Sequence, residues 1–232
     1  MGYTKTIVCL ANSRKPPSGR CVAGREVAPS GFGAWIRPVS SRSTREVSEE
    51  ERRYNDGTDP EVLDVVSIRL ANAQPQHHQK ENHVIDDDYY WVKERTVSWQ
   101  ELQDAVEDPA GSLWPNGFST SSGSNDRVPE EIANGLSRSL YLVRPERFRL
   151  AVASEGGVYD PSRRRVRARF NLSGHTYCIV VTDPWTERKY LAGNDGETWI
   201  DDALLCISLG EPFNGFVYKL AAAVITRDRA KE

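Results

Sequence analysis

The chain has 232 residues, enough for one large domain or two small ones, and a formal net charge of -3. That balance excludes a uniformly basic nucleic-acid binder and leaves room for a local basic patch. Residues 1–45 hold eight Lys and Arg against one acidic residue, and residues 46–111 hold six against 17. No apolar stretch is long enough to span a membrane. The four cysteines lie in apolar runs without a C-x-x-C pair, which predicts buried thiols of a cytoplasmic chain.

In chain order, residues 6–10 form a β-rich apolar run, and residues 21–24 return as a second strand. The loop between them, 11–20, has a basic tip. Its Arg14, Lys15 and Arg20, with the backbone freedom of Gly19, suit a phosphate, although P-loop spacing is absent. Residues 31–39 predict a third strand with Trp35, Arg37 and Val39 on one face. An aromatic beside a guanidinium suits base stacking, or a cation–π pair. Ser48 and Glu51 fit the capping box of a short helix, and residues 62–70 alternate as a strand. The polar loop 74–83 carries His77, His78 and His83, with Asp86, Asp87 and Asp88 beyond. Metal-ligand spacing is missing there, so no metal is expected. Residues 84–85 and the aromatic run 89–92 predict strands, and residues 98–106 a helix capped by Ser98 and Glu101.

Residues 111–127 form the longest loop-like segment, anchored by Trp114 and Phe118, and place a boundary that divides 1–127 from 128–232. A helical turn is expected near residues 128–133. Strands follow at 139–143 and 147–152, then a break at Gly156-Gly157. Next comes Arg163-Arg164-Arg165-Val166-Arg167-Ala168-Arg169-Phe170, the most distinctive stretch of the chain. With a period of two it puts Arg163, Arg165, Arg167 and Arg169 on one face and Val166, Ala168 and Phe170 on the other. Guanidinium groups spaced about 7 Å apart can grip a phosphate backbone, or be answered by nearby carboxylates as an ordinary solvated face. Residues 176–182 return antiparallel, 183–185 turn, 199–209 hold a strand, 213–216 turn again, and 217–225 close the sheet. About five strands in each half predict a mainly β chain with minor α. The expected form is two OB-like five-stranded small barrels in tandem, with short helices in the first half.

The run Thr6-Ile7-Val8-Cys9-Leu10-Ala11-Asn12-Ser13-Arg14-Lys15 with Gly19-Arg20-Cys21, then Trp35-Ile36-Arg37-Pro38, resembles the bacterial family of dual OB-containing domain proteins. Asn125-Asp126-Arg127-Val128 fits it as well, as does Leu205-Cys206-Ile207-Ser208-Leu209-Gly210-Glu211-Pro212 with Tyr218-Lys219-Leu220. The resemblance covers nearly the whole chain. It implies two OB-like barrels and brings no catalytic motif.

The expected function is non-catalytic binding of single-stranded DNA or RNA, with no cofactor and no membrane. The contact set is Arg14, Lys15, Arg20, Trp35, Arg37, Arg163, Arg165, Arg167, Arg169 and Tyr177, with Tyr141 as a further stacking residue. Phe170 points inward on the same periodicity. Two alternatives stay open. One is a scaffold that docks a protein partner through the acidic surface of the first half. The other is a sensor or enzyme for a small anionic nucleotide, using Asn12, Ser13, Arg14 and Lys15 with Glu81, Asn82, His83 and Asp86.

Overall fold

The computed structural model describes residues 2–156 and 163–231, so the break expected at Gly156-Gly157 runs into residues outside that set. The first strands are β1 (Tyr3–Lys15), β2 (Gly19–Ala28) and β3 (Gly31–Val39), followed by α1 (Glu49–Arg52). After them come β4 (Asp64–Ala73), β5 (Asn82–Ile85), β6 (Val92–Thr96) and α2 (Trp99–Leu102). Strand β1 is long enough to pair twice. Its residues 3–8 run antiparallel to β4 and its residues 7–15 antiparallel to β2. The order β1-β2-β3-β5-β4 therefore closes on itself through β1–β4, with β3 and β5 parallel. This is a closed five-stranded OB-type barrel, to which β6 adds an outer strand on β4. Closure explains the alternation: Ile7, Cys9, Val22, Ile36, Val66, Ile68 and Ile85 fill one interior.

Both expected capping boxes form. Ser48 and Ser98 accept from the N–H groups of Glu51 and Glu101, whose carboxylates accept in return. The second helix is shorter than its pattern, with one α-turn and then a 3-10 turn over Gln103–Ala105. The aromatic run 89–92 is not a strand. Tyr89 and Tyr90 are exposed beside Arg69 and Arg53, Trp91 drops into the core, and β6 starts at Val92.

The second set is β7 (Arg127–Pro129), α3 (Glu130–Ala133), β8 (Leu140–Val143), β9 (Glu146–Glu155), β10 (Arg163–Leu172) and β11 (His175–Val181). It continues with α4 (Pro184–Leu191), β12 (Gly196–Trp199), β13 (Ala203–Phe213) and β14 (Phe216–Thr226). The meander β9-β10-β11 is followed by β14, parallel to β11, and then by β13. Strand β13 pairs with β8 where β4 of the first unit pairs with β1. The ring-closing strand is thus present in two pieces, β8 and β9, divided at Arg144-Pro145. Pro145 has no N–H to give to a ladder, and Arg147 just beyond it has a φ of 49°.

Two features of this unit differ from expectation. Asp183-Pro184-Trp185 begins a helix instead of a turn: the Asp183 carboxylate accepts from the Trp185 N–H, and Pro184 sits at the first helical position. The strand expected within residues 199–209 is β13, which starts at Ala203 just after Asp202 (φ 51°), while Trp199 ends the separate strand β12.

The chain divides into two compact units. One holds residues 1–106, 137–139 and 227–232, and the other 107–136 and 140–226. The division expected at residue 127 is displaced because the long loop belongs to the second core. Leu113 and Trp114 are buried in that core, and the Leu113 N–H donates to the Tyr177 hydroxyl at 3.0 Å. Among the described residues no helix is long and apolar enough to cross a membrane.

Candidate nucleic-acid interface

Strand β10 alternates as its sequence dictates. Val166, Ala168 and Phe170 enter the core of the second unit, and the odd-numbered arginines face out. Their environments differ. Arg167 is buried, with Nε and Nη2 donating to Glu155 and Nη1 3.7 Å from Asp126. Burial disfavours its charge, and the Glu155 pair more than restores it. Arg165 shares the same Glu155 at 3.7 Å. Arg164 ties β10 to the end of α4, donating to the Leu191 and Gly193 carbonyls and to Asp195. Arg163 and Arg169 are exposed. Two of the four predicted forks are therefore engaged by one carboxylate, and Arg167 is a structural residue.

Tyr177 is also structural. It lies directly opposite Phe170 in the β10–β11 ladder, so both rings point the same way, inward. The rings stack at 5.2 Å, and the Tyr177 hydroxyl accepts from Leu113 and Asn116. Its ring cannot receive a base. Tyr141 packs edge-on against Trp114 at 5.1 Å.

What the outer face of this unit does assemble is a basic cavity of about 400 Å³. Arg169 lines it with Arg147 and Arg149 from β9, Asn171 and Thr176 from the β10–β11 hairpin, and Trp199 from β12. Backbone pairing sets this convergence: Arg149 is opposite Arg169 on one side of β9 and opposite Trp199 on the other. The Arg149 guanidinium lies 5.1 Å from the centre of the Trp199 ring, which is 59% exposed. Glu197 is 2.9 Å from Arg149 Nε and 3.4 Å from Arg169 Nη1. Arg147 is exposed at the same cavity. Arg147, Arg149 and Trp199 were absent from the sequence-based contact set. The alternation of Arg147-Phe148-Arg149-Leu150 carries the same outward signal as the arginine strand, over fewer residues.

In the first unit the loop expected over 11–20 is mostly strand, since β1 runs to Lys15 and β2 starts at Gly19. Arg14, Lys15 and Arg20 therefore lie on paired strands beside a short turn, each partly exposed. Gly19 is packed rather than free, since a Cβ there would lie 2.1 Å from Glu46 Cγ. The segment at Glu46 is held by paired backbone bonds between Arg20 and Val47. Glu46 answers Arg42 at 3.8 Å and interacts with Lys15, so this basic tip carries its own counter-charge.

Trp35 and Arg37 share a face as predicted, and both are buried. Arg25, which also donates to the Ala105 carbonyl, lies 5.9 Å from the Trp35 ring centre. Arg37 donates to Glu81 through Nε and Nη2, to Ser139 and to the Cys21 sulfur. That face is used for packing, because a guanidinium so enclosed needs a full set of acceptors.

The residues proposed for a small-nucleotide site are engaged by separate partners. Asn12 donates to the Pro60 carbonyl, Glu81 accepts from Arg37, and His83 Nδ1 meets the Tyr3 hydroxyl. Burial, with Lys5 nearby, lowers the His83 pKa. Among the described residues no three His, Cys, Asp or Glu side chains come together to hold a metal ion.

The profile of the dual OB-containing domain family matches residues 5–224, and the chain belongs to that family. No curated protein and no solved structure matches it.

Proposed function

We propose that this dual OB chain binds single-stranded nucleic acid without catalysis, through the outer face of β9, β10, β11 and β12. The observation that carries the reading is the cavity where Arg147, Arg149 and Arg169 converge beside the exposed Trp199 ring. Guanidinium groups interleaved with an exposed aromatic supply both terms that single-strand binding uses, phosphate pairing and base stacking. OB barrels bind oligonucleotides across one sheet face and its loops, and this cavity lies on the meander face of the second barrel. Arg163 and Arg165 extend the track along β10. Arg14, Lys15 and Arg20 serve as further phosphate contacts on the first barrel. None of the four cysteines is in a disulfide and three of them are buried, which suits a reducing cytoplasm.

The test is fluorescence-anisotropy titration with labelled single-stranded DNA, single-stranded RNA and duplex DNA, at low and physiological salt. Single strands bind best, and Arg149→Ala/Arg169→Ala weakens binding by about tenfold, the loss of roughly 1.4 kcal/mol. Flat titrations for all three polymers at low salt overturn the reading.

A further inference from the structure

Glu197 occupies an unusual position. One carboxylate stands between two guanidinium groups, 2.9 Å from Arg149 and 3.4 Å from Arg169, yet Arg149 Nε, though buried, makes no aligned hydrogen bond. The attraction is Coulombic, and the directional donor at Arg149 Nε is not matched. A carboxylate has two oxygens to offer. A phosphate offers more, at tetrahedral spacing, and can serve two forks at once.

The element that carries Glu197 holds it weakly. Strand β12 is four residues long and exposed throughout, and among the described residues it pairs only with β9. Ion pairs this exposed contribute little, so turning Glu197 away costs little. In the same strand Trp199 presents its ring to solvent two residues on, where alternation places it on the same face as Glu197. Arg147, exposed on the same cavity, adds a third donor group. The volume, about 400 Å³, lies in the range of small-ligand pockets.

We propose that this cavity is a subsite for one 5′-phosphorylated nucleotide unit, in which Glu197 holds the place that the phosphate takes. On binding, the phosphate displaces Glu197 from Arg149 and Arg169, Arg147 joins the phosphate contacts, and the base stacks on Trp199. The inference rests on the nucleic-acid reading above and adds to it a unit of recognition and a built-in competitor. Glu197 lowers affinity for every anion and so favours ligands that bring a stacking base as well as a phosphate.

The experiment is calorimetric titration of the full chain with uridine 5′-monophosphate, uridine and inorganic phosphate, beside anisotropy with a single-stranded oligonucleotide. Glu197→Gln raises affinity for the monophosphate and the oligonucleotide by about fivefold to tenfold. Glu131→Gln on α3, which removes the same charge from an exposed site elsewhere, does not. Trp199→Ala weakens the monophosphate and leaves inorganic phosphate unchanged. Thermal unfolding of each variant checks that it is folded, and Trp199→Phe, which keeps a ring, restores part of the loss. An oligonucleotide that binds with no response to Glu197→Gln or Trp199→Ala overturns the subsite and spares the nucleic-acid reading. Monophosphate binding with the Glu197→Gln gain, but no oligonucleotide binding, does the reverse. If neither ligand binds, both fall.

Discussion

Lys219 is almost fully buried in the second unit, with Nζ donating to the Pro115 carbonyl and to Asn116 Oδ1 and lying 5.3 Å from the Tyr177 ring centre. Loss of hydration lowers its pKa from 10.5 to about 7, and Asp126 offsets only part of that. Between those two values the unfolded chain binds more protons than the folded one, so stability rises with pH across that window. The cost of burying this ammonium is full below about pH 7 and vanishes above the unfolded value. We expect the urea midpoint of the second unit to climb between pH 7 and pH 9, with a slope of at most about 1.4 kcal/mol per pH unit. The slope is expected to flatten in Lys219→Met. Equal slopes in the two proteins would remove Lys219 as the cause. Nothing local in Tyr218-Lys219-Leu220 marks this lysine as buried. Its place depends on residues 115–116, about a hundred positions earlier, folding back over β14.

At the level of the strand, β10 shows how one pattern serves two purposes. Arg169 and Arg163 are surface groups, whereas Arg167 is locked to Glu155 beside Asp126. Arg167→Glu would place a third carboxylate in that buried cluster. It is expected to destabilise the second unit by about 3–5 kcal/mol, read as a lower denaturant midpoint. Arg169→Glu is expected to leave the midpoint within about 0.5 kcal/mol. A stable, folded Arg167→Glu protein would show that the pair is not structural. The arginine strand was legible because period-two alternation is local. The split among its arginines was not, because it depends on where Glu155 and the 120–126 segment fall. Helix α4 was legible in principle through Asp183 and Pro184, but eight residues with little apolar pattern left only its cap as a signal.

Over the whole molecule the net charge is -3, and carboxylates are spread among the basic surfaces: Glu46, Glu81, Glu155, Asp195 and Glu197 each answer named arginines. Long-range attraction to a polyanion is therefore weak, and the proposed binding would rest on a few close contacts. With about three phosphates neutralised by Arg147, Arg149 and Arg169, the logarithm of affinity for a single strand should fall against that of salt with a slope of about -2. A slope near zero would show that phosphates do not carry the binding, and one far steeper would call for a larger basic surface. The sequence by itself determined most of the strands, the capping boxes and the in–out alternation of the arginine strand. Each of these follows from periodicity and capping among residues close in the chain. Only the tertiary structure decided that Trp35, Arg37, Arg167 and Tyr177 are buried and that Arg147, Arg149 and Trp199 join Arg169 at one cavity. Those outcomes depend on which strands become neighbours and which distant carboxylate meets which guanidinium, and such pairings leave no trace in local spacing.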